Sequence, residues 1–194
     1  MSLIVAIKKD GIVYMGADTR TTCADRYILN FVEDEMKIHR MGDCLVGAAG
    51  NVANIQHMSS HPEWFDLGGK PLTKKHIVQN VIPEFYDALN ADDKLEKKDK
   101  ESSRPKSRCS FLITDGVGLF MINDVFEVIE LLRYGAIGCT KITATTNMLS
   151  MSDDSSPNEI ILRALRMSAR FDGGVGAPYF LINTREKEFQ LVEE

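Results

Sequence analysis

Two residues from its start the chain runs Leu3-Ile4-Val5-Ala6-Ile7 without a polar residue, and soon after it turns at Asp10-Gly11. An apolar strand with no alternation has no face to give to water, so it belongs in a sheet covered on both sides. Asp-Gly is a strong two-residue hairpin signal, and Ile12-Val13-Tyr14-Met15-Gly16-Ala17 reads as the return strand. A chain that opens this way is directed toward a layered fold with antiparallel pairing inside it.

The remaining pattern fills in the layers. Further strands are expected at 36–41, 44–50, 109–114, 118–122, 126–132, 134–137, 177–183 and 188–192. In the first of these, Met36, Ile38 and the Arg40 stem alternate with Lys37, His39 and Met41. A short helix over 51–60 would place Val52, Ile55 and Met58 on one side. Thr73 suits the N-cap of a second helix, whose stripe is Ile77, Val78, Val81, Ile82, Phe85 and Leu89. Pro83 inside that stripe should kink the helix or disturb its hydrogen bonding. A third helix is expected at 143–151. Ser156-Pro157-Asn158-Glu159 is a capping box for a fourth, with Ile160, Ile161, Ala164, Leu165 and Ser168 on its inner side and Asp172-Gly173-Gly174 at its end. Residues 61–71, with two prolines and Gly68-Gly69, read as a loop, and the charged stretch 91–108 as a surface loop or frayed helix end. Strands neighbour strands and helices come in pairs. This order predicts an α+β fold: a four-layer α-β-β-α sandwich of two mainly antiparallel sheets, each covered by a helix pair.

Composition sets the outer limits. A chain of 194 residues suits one domain, 1–194. With 44% hydrophobic and 26% charged residues it can bury a core. A net charge of −5 argues against a generic nucleic-acid or membrane-surface binder. Cys23, Cys44, Cys109 and Cys139 form no C-x-x-C or zinc-ribbon spacing and are read as free thiols in a reducing compartment. The N-terminal apolar run is shorter than the roughly 7–15 residues of a secretory signal core, and no stretch approaches the roughly 20 residues of a membrane span. A cytoplasmic protein without cofactor or metal is the expectation. No G-x-G-x-x-G, phosphate loop or G-x-S-x-G is present.

Chemistry is suggested at the start of the chain. Ser2 follows Met1, and removal of that methionine would leave Ser2 with a free α-amine. An α-amine has a reference pKa of about 7.7–8.0, so part of it is a free base at neutral pH. Such an amine can take the proton from the hydroxyl of its own residue. Serine at position 2 is by itself uninformative; the neighbours give it weight. Ser2-Leu-Ile-Val-Ala-Ile, followed by Ala17-Asp18-Thr19-Arg20-Thr21-Thr22, resembles the opening of a proteasome β-type subunit and of the bacterial proteasome-like peptidase that works with a ring unfoldase. Those proteins are N-terminal-nucleophile hydrolases.

The resemblance implies roles for particular residues. Ser2 falls on the catalytic threonine's position, Asp18 on the family's aspartate and Lys37, in Met36-Lys37-Ile38, on its lysine. Gly50, closing Val46-Gly47-Ala48-Ala49-Gly50, falls on the glycine whose amide faces the oxyanion. Further on, Cys139 stands in a serine's place within Ala136-Ile137-Gly138-Cys139. Asp172 matches a second aspartate in 170–177, where Val175 replaces a second serine. Arg20, Thr21 and Thr22, with Gly50, would line an extended peptide substrate by strand addition. The departures are serine for threonine, Cys139, Val175 and a longer interval between Arg20 and Lys37.

Three functions fit this pattern. The first is a peptidase subunit acting on peptide or unfolded protein, assembled with copies of itself as stacked rings, with an ATP-dependent unfoldase as a candidate partner. The second is a non-catalytic ring subunit with the same fold. The third is an N-terminal-nucleophile amidase or acyl-transferase working on a small amide. Neither nucleic acid nor membrane is expected as a partner. Trp64-Phe65 is either an interface anchor or a cap on the core.

Overall fold

The computed structural model describes residues 2–23, 26–29, 36–91 and 106–193. The opening hairpin is as the sequence predicts. β1 (Leu3–Lys9) and β2 (Ile12–Asp18) pair antiparallel around Asp10 and Gly11, both at positive φ. This two-residue turn sets the register, with Lys9 opposite Ile12 and Ile4 opposite Ala17. Then follow β3 (Arg20–Cys23) and β4 (Arg26–Leu29), which form a hairpin of their own, and β5 (Ile38–Met41) and β6 (Cys44–Gly50). After two helices come β7 (Cys109–Thr114), β8 (Leu119–Ile122), β9 (Val128–Glu130) and β10 (Tyr134–Gly138). After two more come β11 (Tyr179–Asn183) and β12 (Gln190–Val192).

Two antiparallel sheets result, in the orders β10-β1-β2-β11-β12 and β5-β6-β7-β8-β9. Helices cover both. α1 is Val52–Ser59; α2 is continuous through Lys74–His76, a π-helical turn Ile77–Val81 and Ile82–Ala91; α3 is Lys141–Leu149 and α4 is Pro157–Phe171. The expected four layers follow from three separate apolar interiors. Ile4, Ala6, Met15, Leu45, Leu112 and Ile182 pack between the sheets. Met58, Ile77, Val81, Phe85 and Leu89 pack from α1 and α2 onto Val46, Phe111 and Ile113. Ala144, Met148, Ile161 and Leu165 pack from α3 and α4 onto Leu3, Val5 and Leu181. β1 thus sends Leu3, Val5 and Ile7 one way and Ile4 and Ala6 the other, which is why it carries no polar alternation. Each of its fully buried large side chains contributes about 1.5–3 kcal/mol.

Several local expectations are corrected. Around Lys37 the alternation does not sort buried from exposed residues: Ile38 packs between the sheets and Met41 on the opposite, helix-covered face, Arg40 is exposed, and Lys37, just ahead of the strand, is buried. On α1, Val52 is exposed and Asn54 takes the inner position, where its side chain donates to the carbonyl of Ser107 at 2.8 Å. β9 is shorter than 126–132, since Phe126 has φ +64 and the Asn123 side chain captures the amides of Val125 and Glu127. Pro83 disturbs the hydrogen bonding just upstream, where Ile82 N–H donates to Ile77 five residues back. Residues 62–65 form a 3-10 turn within the expected loop. Trp64-Phe65 is not an exposed pair: Phe65 is wholly buried, and Trp64 packs on the core and stacks on His61 at 4.3 Å. Most of the charged stretch 91–108, from 92 to 105, lies outside the described residues.

Candidate active site

Antiparallel pairing gathers alternate strand ends on one edge of the first sheet. Leu3 lies opposite Gly138, so Ser2 adjoins Cys139 at the end of β10. Asp18, at the end of β2, lies opposite Tyr179 at the start of β11, just past the turn that follows Asp172. The second sheet brings Lys37 to this edge, beside the strand that ends in Gly50. Gly47 packs on Ile4, where a Cβ would lie 2.8 Å from its side chain, and the Lys37 carbonyl accepts from Ala48 N at 2.8 Å, two residues before Gly50.

The centre of the site is a buried ion pair. Lys37 Nζ donates to Asp18 Oδ1 at 2.6 Å and to the carbonyl of Arg20 at 2.5 Å. The same Asp18 oxygen accepts from Leu3 N at 2.8 Å, one residue from Ser2. Asp18 is 0% exposed and Lys37 8%. Burial is the largest influence on both groups. It raises the Asp18 carboxyl above its ordinary range and lowers the Lys37 amine below its own, while their mutual charge and hydrogen bond oppose both shifts. Lys37 therefore gives up a proton more easily than a solvated lysine. A buried pair adds little net stability compared with apolar residues of the same volume; perturbed groups of this kind concentrate where chemistry is done.

A second set of contacts holds Ser2 from the other side. Its carbonyl accepts from Cys139 N at 3.0 Å and from Cys139 Sγ at 3.4 Å. Burial pushes the Cys139 thiol up, and the hydrogen bond and charge of Asp172 push it further, against a smaller opposing effect of the Ser2 backbone. Asp172 ends α4 and accepts from Gly174 N at 2.8 Å, while Val175 N returns to the Asp172 carbonyl at 3.0 Å. Val175 is wholly buried among the residues under α4, an apolar packing position.

Of the residues named from sequence, Asp18, Lys37 and Cys139 converge on Ser2-Leu3, and Asp172 bears on Cys139. Gly50 is exposed at the end of β6, with no room for a side chain: a Cβ would lie 2.7 Å from Cys109 Cα. Thr21 and Thr22 lie on β3, whose strand partner among the described residues is β4. The Arg20 guanidinium donates to the carbonyls of Gly173 at 3.0 Å and Val175 at 3.5 Å.

Two glycines escaped the sequence reading. Gly138, at φ +110, abuts Ser2 so closely that any Cβ would overlap its carbonyl. Gly176 leaves the space that the Arg20 guanidinium fills. A glycine closing a strand just before a site residue is the one local signal that could have flagged the first. His57 and His61, four residues apart, do form an H-x-x-x-H pair, and their rings meet edge to face at 5.1 Å beside Trp64. Among the described residues no group of three or more His, Cys, Asp or Glu is arranged to hold a metal ion, and no helix is long and apolar enough to cross a membrane.

No protein-family model matches the chain, and no curated protein matches it by sequence. Solved structures do match. BPH from Thiobacillus denitrificans superposes with a TM-score of 0.78 at 20% identity, over 93% of this chain and 96% of that one. The fold is that of the proteasome-like N-terminal-nucleophile hydrolases. The helical assembly of the Anbu complex from Pseudomonas aeruginosa gives 0.70 at 17% identity, over 99% and 87%. Eukaryotic HslV from Trypanosoma brucei gives 0.64 at 16% identity, over 93% and 98%. The BPH protein has also been solved in complex with epoxomicin. The proteasome-like architecture thus spans nearly the whole chain, beyond the N-terminal motifs that first suggested it.

Proposed function

We propose that the chain is a proteasome-like peptidase subunit that hydrolyses peptide bonds with Ser2, exposed by removal of Met1, as nucleophile. The observation that carries this reading is the buried Asp18–Lys37 pair, hydrogen-bonded to the amide of the residue after Ser2.

The α-amine of Ser2 takes the proton from its own Oγ, directly or through a water, and Oγ bonds to the peptide carbonyl carbon. Lys37, as a cation, lowers the proton affinity of that oxygen; with its proton released, it serves as base. Asp18 holds it in place. The amide of Gly50 faces the oxyanion, a contribution worth about 10²–10³ in rate where such donors have been removed. The proton then passes to the leaving nitrogen, the C–N bond breaks, and an ester remains on Ser2. Water, deprotonated by the same amine, hydrolyses the ester and frees the acid. β3, through Thr21 and Thr22, aligns the substrate as an added strand.

Copies of the chain would assemble around these sites, as the Anbu complex assembles in a helix, and an ATP-driven unfoldase is the partner this reading implies. The deciding measurement is intact mass of the native, untagged protein with and without epoxomicin. Loss of Met1 and a single adduct on Ser2, absent from Ser2→Ala, is the expected result. Retained Met1 with no adduct overturns the proposal and leaves the scaffold role.

A further inference from the structure

We propose that Arg20 is a positioning residue that ties together the two halves of the site, and not a ligand for substrate. The inference rests on the peptidase reading above. Two routes of contacts leave this one residue. From its main-chain carbonyl the first runs to Lys37 Nζ at 2.5 Å, from there to Asp18 Oδ1 at 2.6 Å, and from Asp18 to Leu3 N at 2.8 Å. From its guanidinium the second runs to the carbonyls of Gly173 and Val175 at 3.0 and 3.5 Å, in the turn headed by Asp172. Asp172 bears on the Cys139 thiol, which donates to the Ser2 carbonyl at 3.4 Å. The two routes end on adjacent residues, Ser2 and Leu3, from opposite sides.

The turn is shaped for this contact. Asp172 Oδ1 closes it by accepting Gly174 N at 2.8 Å, and buried Val175 anchors it to the core. Gly176 faces the guanidinium so closely that a Cβ there would lie 2.7 Å from Nη2 and closer still to Cζ and Nε. Both bonds leave Nη1, and the missing side chain of Gly176 gives the rest of the planar guanidinium its room. With its guanidinium occupied in this way, Arg20 acts on the reaction by holding Lys37 and Asp172 in register with Ser2.

The test compares wild type, Arg20→Ala, Arg20→Lys and Gly176→Ala by the kinetics of Ser2 adduct formation with epoxomicin. Gly176→Ala displaces the guanidinium without removing its charge, so it reports on the clamp even where Arg20→Ala folds poorly. Misplacement of reacting groups lowers the rate at saturation, here on the order of tenfold to a hundredfold, with the half-saturating concentration unchanged. Arg20→Lys should recover part of that loss. A higher half-saturating concentration at an undiminished saturating rate would identify Arg20 as a ligand and overturn the proposal. Alkylation of Cys139 by N-ethylmaleimide, mapped by mass, reads the clamp without any turnover. Loosening the Asp172 turn should speed it in Arg20→Ala and Gly176→Ala, and unchanged rates overturn the clamp. Should wild type form no adduct, the peptidase reading fails while this second readout still decides the clamp.

Discussion

The carbonyl of Ser2 occupies the space that a side chain on Gly138 would need: a Cβ there would lie 2.8 Å from the Ser2 carbonyl carbon and closer to its oxygen. Gly138 is also at φ +110, a conformation that L side chains rarely adopt. Gly138→Ala should therefore lose about 1–3 kcal/mol to backbone strain alone. It should also displace Ser2 and abolish its adduct with epoxomicin. Urea unfolding and intact mass measure the two effects; a normally reactive, fully stable variant would refute the packing.

The Asp18–Lys37 pair predicts a non-additive pattern. Lys37→Met leaves a carboxylate buried without its partner, which typically costs about 3–5 kcal/mol. Adding Asp18→Leu removes the orphaned charge and should restore most of that stability. Both variants should be catalytically dead. Stability that falls further in the double variant would mean that Asp18 is held mainly by Leu3.

Cys139 yields a pH prediction. Burial and Asp172 raise its thiol, so the thiolate appears only at higher pH, and iodoacetamide alkylation should begin later than for a solvated cysteine. Asp172→Asn removes the charge and weakens the hydrogen bond that favours the protonated form. Its alkylation profile should shift toward lower pH and run faster at any fixed pH below the midpoint. Cys44 and Cys109, pushed up to about 12 by burial, should stay unmodified in the folded protein. Peptide mapping separates these sites.

Trp64 stacks on His61 and packs against the core. Trp64→Ala should cost about 2 kcal/mol in denaturant unfolding, within the usual range for a half-buried large side chain. The oligomer seen by light scattering should not change. A shift in oligomer size at unaltered stability would return Trp64 to the role of interface anchor.

Much of this architecture could be read from residues close together in the chain. The unalternated run at Leu3–Ile7 and the Asp10-Gly11 turn specify a doubly covered hairpin, and the two-residue turn alone dictates which residue faces which. The register that places Asp18 beside Leu3 is thus a local property. The Ser156–Glu159 box and the inner face of α4 were legible for the same reason, since capping and helical periodicity act within a few residues. Lys37 was legible as a residue but not as a buried one, because its position just ahead of β5 frees it from strand alternation. On α1 the choice between Val52 and Asn54 depended on a partner, Ser107, that is 53 residues from Asn54.

What the sequence determined by itself, then, is the layered class, the opening hairpin and the candidates Ser2, Asp18, Lys37 and Gly50. Only the tertiary structure decided that Cys139, 137 residues from Ser2, would hold its carbonyl. The same is true of Arg20, which reaches a turn 153 residues away. The physical reason is one of range. Turn geometry, capping and periodicity are settled by neighbours along the chain, whereas these contacts exist only because strand order and the stacking of two sheets bring remote strand ends to one edge, and no local preference encodes that order.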